Sequence, residues 1–396
     1  MEIAMYRYVV ELLNPLIITS TQGYKGMSYT IVSDYIPGSM VRGAIFTHFL
    51  IEKLVSENDI GLEAKSPRHS VTPALPIPRE LRDSAYLLRD AAFAHALTYT
   101  LKGGGDTVFS LGIENILKHV SKCVDVEKAI EKTVFESSVK SDVNAYKNAL
   151  SDPATVFSSS TERENACGLT VVKRDGRWVS YKPKRGIYVE TAVDRSRGSA
   201  AHGMLYAYEY IEPGNIFTGF VSVASDSKVA EAFKSISKSC IVARIGRGLG
   251  RGFGLSRICI EGIAAFDAMS EAVDLYPGRF VAMYATSPMF LVNPMPRPIA
   301  SGDEIELNVF GTSVAKVVVC SVIGKDPVKY YGWSYRHGLP KLPIVANPPG
   351  SLAIVTINSV YNKDFAKLLA LTGFNNFSAQ GFNFVKPLTQ DFFEVV

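Results

Sequence analysis

Residues 243–258, ARIGRGLGRGFGLSRI, place a glycine at every second position from Gly246 to Gly254 and thread Arg244, Arg247, Arg251 and Arg257 between them with no acid. No triple of these glycines fits G-x-G-x-x-G, and no Gly-Lys-Ser/Thr follows, so dinucleotide and triphosphate loops are excluded. Glycine admits positive φ and lets another backbone approach closely. Arginine offers a planar fork of donors that suits phosphate. Arg244, Arg247, Gly248, Gly250, Arg251 and Gly252 therefore make a candidate cradle for a sugar-phosphate chain. The alternative is a solvated basic loop.

Three other stretches carry similar chemistry. In IPGSMVRG, a turn of small residues opens a helix, whose first N–H groups suit an anion. Gly38, Ser39 and Arg42 are its candidates, and an ordinary capped helix is the alternative. In KPKRGIYVETAVDRSRGSAAHGMLYAYEY, Arg195, Arg197 and His202 sit near Lys182, Lys184 and Arg185. There Tyr206, Tyr208 and Tyr210 share one face of a strand. Such a stripe stacks bases or packs beneath an insertion. In KYYGWSYRHGLPK, Lys329, Tyr331, Trp333, Arg336 and His337 interleave charge with aromatic rings, a pattern suited to single-stranded nucleic acid. The alternative buries Trp333 in a hairpin.

Catalytic groups are sparse. His48, His202 and His337 are the candidates for general acid–base work on RNA, and Asp34 stands just before the IPGS turn. No carboxylate cluster suggests a two-metal site. No catalytic residue, metal ligand or cofactor is expected.

The elements that must position these residues follow from patterning. The chain has 396 residues, a net charge of +4 and 47% hydrophobic residues, which fits a folded chain of two domains. Its five cysteines form no C-x-x-C pair, so free thiols and a reducing compartment are expected. No apolar run is long enough to span a membrane. Residues 5–13 predict a strand. A polar loop follows it, then a helix from a Ser39 N-cap through Leu54. Residues 57–180 read as an insertion with helices at 84–101 and 112–150. Strand character returns at 185–225, and an amphipathic helix spans 226–239 with Val229, Phe233 and Ile236 inward. The glycine stretch and a strand close this half. The second half repeats helix, glycine loop and strand at 364–371, GFNNFSAQGF and NFVKPL. The expected fold is α+β. It has two ferredoxin-like (RRM-like) domains, 1–268 and 269–396, the first carrying the large, mainly helical insertion at about 57–180.

Taken together, IPGSMVRGAI, TAVDRSRGSAAHGMLYAYEYIEPGNIFTGFV and RIGRGLGRGFGLSRI, in that order after an N-terminal strand, resemble the RAMP superfamily of CRISPR effector proteins. GWSYRHGLPKLPIVANPPGSLAI resembles the Gly-Trp and P-x-G-S region of its Cas-five-like type III subunits. The resemblance covers roughly 1–55 and 180–396. Backbone RAMP subunits cut target RNA with an aspartate in the loop after the first strand. The corresponding loop here, TSTQGYKGMSYTIVS, has no acid, and Asp34 lies close to IPGS. Two units in one chain resemble the Csx-ten subunit of type III-D complexes. That likeness implies a cytoplasmic, non-catalytic protein that grips the 5′ handle of crRNA. Its implied neighbours are the large signalling subunit and backbone RAMP subunits, and no membrane is involved. The alternatives are an endoribonuclease acting on precursor crRNA through His48 or His202, or one acting on target RNA through Asp34 and a metal.

Overall fold

The computed structural model describes residues 2–24, 29–60, 67–79, 82, 170–174, 177–194, 196–197, 199–263, 280–323, 326–334, 339–340, 342–349, 351–362 and 365–387. These form an α+β structure that is mostly strand, as expected in outline. The expected helices at 84–101 and 112–150 lie outside the described residues. No described helix is long and apolar enough to cross a membrane.

The first half runs β1 (Ile3–Leu12), β2 (Thr19–Tyr24), β3 (Tyr29–Val32), α1 (Gly38–Ile51), β4 (His69–Val71) and β5 (Leu75–Ile77). After a gap come β6 (Thr170–Arg174), β7 (Arg177–Tyr181), β8 (Arg185–Asp194), β9 (Ser199–Ile211), β10 (Ile216–Ala224), α2 (Lys228–Ser235), β11 (Cys240–Arg244) and β12 (Leu255–Ile263). The first sheet has the order β11-β12-β1-β10-β4, with β5 also on β10, and every neighbour is antiparallel. β4 and β5 fall inside the segment expected to be an insertion, yet they complete this sheet. The polar stretch expected as a loop after β1 instead forms β2 and β3. β3 lies parallel to β9, and β9 pairs with β8 in a long hairpin.

Both helices cover one face of the first sheet. In α1, Val41, Ile45 and Phe49 recur every fourth residue and are fully buried against Tyr8, Val10 and Phe217. Pro37, not Ser39, precedes the helix, and no side chain caps it. Proline's fixed φ supplies the entry geometry instead. α2 does carry a side-chain cap, with Ser227 accepting from the Ala230 N–H at 3.1 Å. Its Phe233 stacks with Tyr6 and meets Phe49 edge-on.

One polar pair is enclosed here. Arg42 on α1 donates from Nε to His69 Nε2 at 3.0 Å and lies over the Phe46 ring. His69 is 1% exposed, and its Nδ1 has no partner. Burial, with the Arg42 charge beside it, holds the imidazole pKa well below its ordinary value. The sign follows directly. Below about pH 6.5 the unfolded chain binds a proton that the folded chain refuses, so stability falls as the pH drops. The expected loss is about 1.4 kcal/mol per pH unit in that range. Urea unfolding of the wild type against His69→Gln, followed from neutral to acidic pH, measures it. Equal pH slopes in the two proteins would count against it.

The second half contains β13 (Phe280–Ala285), β14 (Phe290–Val292), β15 (Pro296–Pro298), β16 (Glu304–Val309), β17 (Thr312–Ile323), β18 (Val328–Tyr330), β19 (Trp333–Ser334), β20 (Leu339–Pro340), β21 (Ile344–Ala346), β22 (Leu352–Val360), α3 (Phe365–Thr372) and β23 (Val385–Pro387). Its sheet is β16-β17-β22-β13-β23, again antiparallel throughout. Phe365 and Leu369 of α3 are buried against Val317, Val355 and Ile357. A 3-10 turn, Asn376–Gln380, ends at Gly381 in the left-handed region. Gly381 meets Gly38 at the start of α1. A Cβ on Gly381 would lie 2.6 Å from the Gly38 Cα, and one on Gly38 would lie 2.3 Å from the Val71 carbonyl oxygen. The IPGS turn and the second glycine loop thus touch backbone to backbone.

The cysteine expectation needs correction. Cys240 and Cys259 are directly opposed on β11 and β12 and form a disulfide. Spacing along the chain did not signal it, because the pairing is created by the hairpin register.

Candidate nucleic-acid interface

The glycine-rich stretch is the connection between β11 and β12. It is an ordered loop pinned at both ends. The Ile245 N–H donates to the Gly254 carbonyl at 2.8 Å, Gly254 N–H to Pro15 at 2.8 Å, and Arg247 N–H to Ile17 at 3.0 Å. A 3-10 turn, Leu249–Arg251, forms its tip.

The five glycines divide by what surrounds them. Gly246, Gly248 and Gly254 have positive φ and face the protein itself. A Cβ on Gly246 would sit 2.6 Å from the Ile17 carbonyl oxygen, one on Gly248 would sit 3.0 Å from the Phe253 ring, and one on Gly254 would sit 1.9 Å from the Ile245 carbonyl oxygen. Gly250 and Gly252 have nothing within 4 Å. Only these two leave room for an outside backbone, and the other three let the loop fold on itself.

The arginines divide in the same way. Arg244 reaches across the loop to the Leu249 carbonyl, and Arg247 is exposed. Arg251 pairs with Glu190 of β8 at 2.6 Å and lies 5.6 Å over the Tyr208 ring. Arg257 pairs with Glu11 at 3.1 Å. The stretch holds no acid, yet β8 and β1 supply two.

Beside the loop stands one face of the β8–β9 hairpin. Tyr188 is directly opposite Tyr208, and Gly186 is opposite Tyr210. A Cβ on Gly186 would strike the Tyr210 ring at 2.4 Å, so this glycine lets the ring lie flat across β8. Phe253 of the loop meets Tyr188 edge-on at 5.7 Å. Loop and hairpin therefore form one aromatic and cationic surface. Glu190 and Tyr188, which the sequence reading passed over, tie it together. The alternation YVE facing YAYEY across a hairpin was the available signal.

The other expected residues lie elsewhere. Gly38 and Ser39 face the second glycine loop, and a Cβ on Gly381 would come within 2.8 Å of the Ser39 nitrogen. Arg42 is committed to His69 and the Ile60 carbonyl, and burial lowers its pKa to about 10. Its expected phosphate contact is corrected by this enclosure. Arg197 lies exposed in the β8–β9 turn, and His202 lies on β9. Lys329 and Tyr331 are exposed at β18, where the neighbouring Tyr330 meets Phe382 edge-on. Trp333 lies on β19. Arg195, Arg336 and His337 fall outside the described residues. Asp34 is ion-paired with Arg185, which also bonds Glu209 at 3.3 Å.

The family model described as RAMPs, the RAMP superfamily, matches residues 11–257. The chain belongs to the RAMP superfamily. The matched span holds α1, the β8–β9 hairpin and the whole glycine loop of this RAMP protein. No curated protein matches it. One similar solved chain comes from a structure of the type III-B Cmr-beta complex bound to cognate target RNA. The likeness has a TM-score of 0.41 and 10% identity over 97% of each chain. Another is Cmr4 (Cas7) from Pyrococcus furiosus, with a TM-score of 0.24 and 12% identity over 65% of this RAMP chain and 100% of that one. Likeness at these values is too low to assign a role.

Proposed function

We propose that this protein is a non-catalytic RNA-binding subunit of a type III CRISPR ribonucleoprotein, and that it holds the 5′ handle of crRNA at the base of the complex. One observation carries the reading. The loop tip leaves Gly250 and Gly252 open while Arg244, Arg247 and Arg251 rim it beside the Tyr188–Tyr208 face. A sugar-phosphate chain can approach the two glycines, arginine forks can bind its oxygens, and bases can stack on the rings. In this reading 1–268 and 269–396 are two ferredoxin-like units. The antiparallel order β12-β1-β10-β4 supports the first, and β23-β13-β22-β17 supports the second. The Asp34–Arg185 pair favours a role without cutting, because a carboxylate held by a guanidinium is a poor ligand for a catalytic metal. The large signalling subunit and backbone RAMP subunits are the proposed neighbours.

Arg247→Ala with Arg251→Ala is expected to weaken binding of handle RNA about ten- to a hundredfold, since two charge-assisted contacts are lost. The slope of log affinity against log salt should flatten by about 1.4 for a single strand. Glu190→Gln in the same assay should strengthen binding, because phosphate no longer competes with a carboxylate for Arg251. Unchanged affinity at moderate salt in the double arginine variant would remove the cradle assignment.

A further inference from the structure

The sheet face turned away from α1 and α2 is a separate feature. Its strands alternate Arg7, Val9 and Glu11 on β1 with Arg257, Cys259 and Glu261 on β12 and Cys240, Val242 and Arg244 on β11. Arg79 and Arg82, from the segment after β5, reach onto it. Glu11 is 8% exposed and takes Arg257 at 3.1 Å, Arg79 at 3.4 Å and Arg82 at 3.8 Å. Arg7 bonds Glu261 at 3.2 Å. Four arginines thus meet two glutamates among the described residues of this face. The two exposed arginines, Arg79 and Arg257, share the single carboxylate of Glu11, which can cancel only one of them, so positive charge is left on the solvent side of this pair. Arg79 and Arg257 keep 71% and 46% of their side chains exposed, with Val242, opposite Arg257, 62% exposed.

We infer that this face is a second anion site, taking the phosphodiester backbone of a single RNA strand that runs on from the glycine loop. The inference rests on the RNA-binding reading above. Continuity favours RNA over an acidic protein segment. β11 and β12 lead directly into the loop, with Arg244 at its entry and Arg257 just after its exit. Guanidinium forks match successive phosphates, and exposed Val242 offers apolar contact to a sugar or base.

The test uses the full chain with labelled oligouridylate, titrated at several salt concentrations. Arg79→Gln with Arg257→Gln should flatten the salt slope by about 1.4, and Arg79→Gln alone, at the outermost position, by about 0.7. The single variant leaves Arg82 and Arg257 on Glu11, so it keeps the test decisive if the double variant folds poorly. An unchanged slope in both, while Arg247→Ala with Arg251→Ala still weakens binding, overturns the second site and leaves the RNA-binding reading intact. Absence of RNA binding by the wild type removes both. Oligoglutamate binding that depends on Arg79 and Arg257, with oligouridylate unaffected, would assign the face to an acidic protein and overturn the inference.

Discussion

Gly254→Ala is expected to destabilise the protein by more than about 3 kcal/mol. An L-residue in the left-handed region costs roughly 1–2 kcal/mol, and Gly254 has φ +77°. The added Cβ would also lie 1.9 Å from the Ile245 carbonyl oxygen, a backbone atom that cannot rotate away. Nor can the residue shift, because its N–H is bonded to Pro15 and its carbonyl to Ile245. Strain of this kind belongs to the small set of causes behind large single-site losses. Gly250→Ala is the matched control, with nothing within 4 Å of its Cβ. Its stability should stay within about 0.5 kcal/mol of wild type, while its RNA affinity falls if a backbone approaches there. Urea midpoints and binding curves for both variants separate glycines that fold the loop from glycines that serve a ligand. A Gly254→Ala protein that unfolds at the wild-type midpoint would contradict the loop geometry.

Cys240→Ser should cost about 3 kcal/mol in the oxidised protein, because the Cys240–Cys259 bond closes a loop with a sequence separation of 19. Cys240 is on the exposed side of the hairpin, within reach of a small reductant. The wild type with dithiothreitol should therefore unfold close to the Cys240→Ser variant, and the variant should ignore the reductant. Two proteins that respond equally to dithiothreitol would show that the bond adds nothing to stability. The bond closes the base of the hairpin whose tip is the glycine loop. It thus fixes the register of β11 against β12, which sets Val242 opposite Arg257.

Periodicity made some of this legible in advance. Val229, Phe233 and Ile236 fall on one helical face and are buried, and the strand expected at 5–13 spans Ile3–Leu12. The glycine stretch was visible as a loop between strands, and its spacing excluded nucleotide-cofactor loops. What stayed hidden depends on distant partners. β2 is polar and glycine-containing and β3 is only four residues long; they become strands because β9 offers an edge to β3, and β3 in turn to β2. β4 and β5 are three residues each, too short to show a period, and β10 holds them. The arginines looked unopposed because Glu11 and Glu190 lie far away along the chain. Arg42 looked like a phosphate ligand because nothing near it in sequence announced His69.

The meeting of Gly38 and Gly381 has a mechanical consequence. Contacts between side chains behave as cushions, since rotamers can shift under load. Two backbones in contact through glycine have no such cushion and behave as gear teeth. A subunit that pushed on the Asn376–Gln380 turn would therefore displace the first turn of α1 itself, and with it the Arg42–His69 pair beneath. The two halves of this chain are geared to one another at the spot where each has given up its side chain.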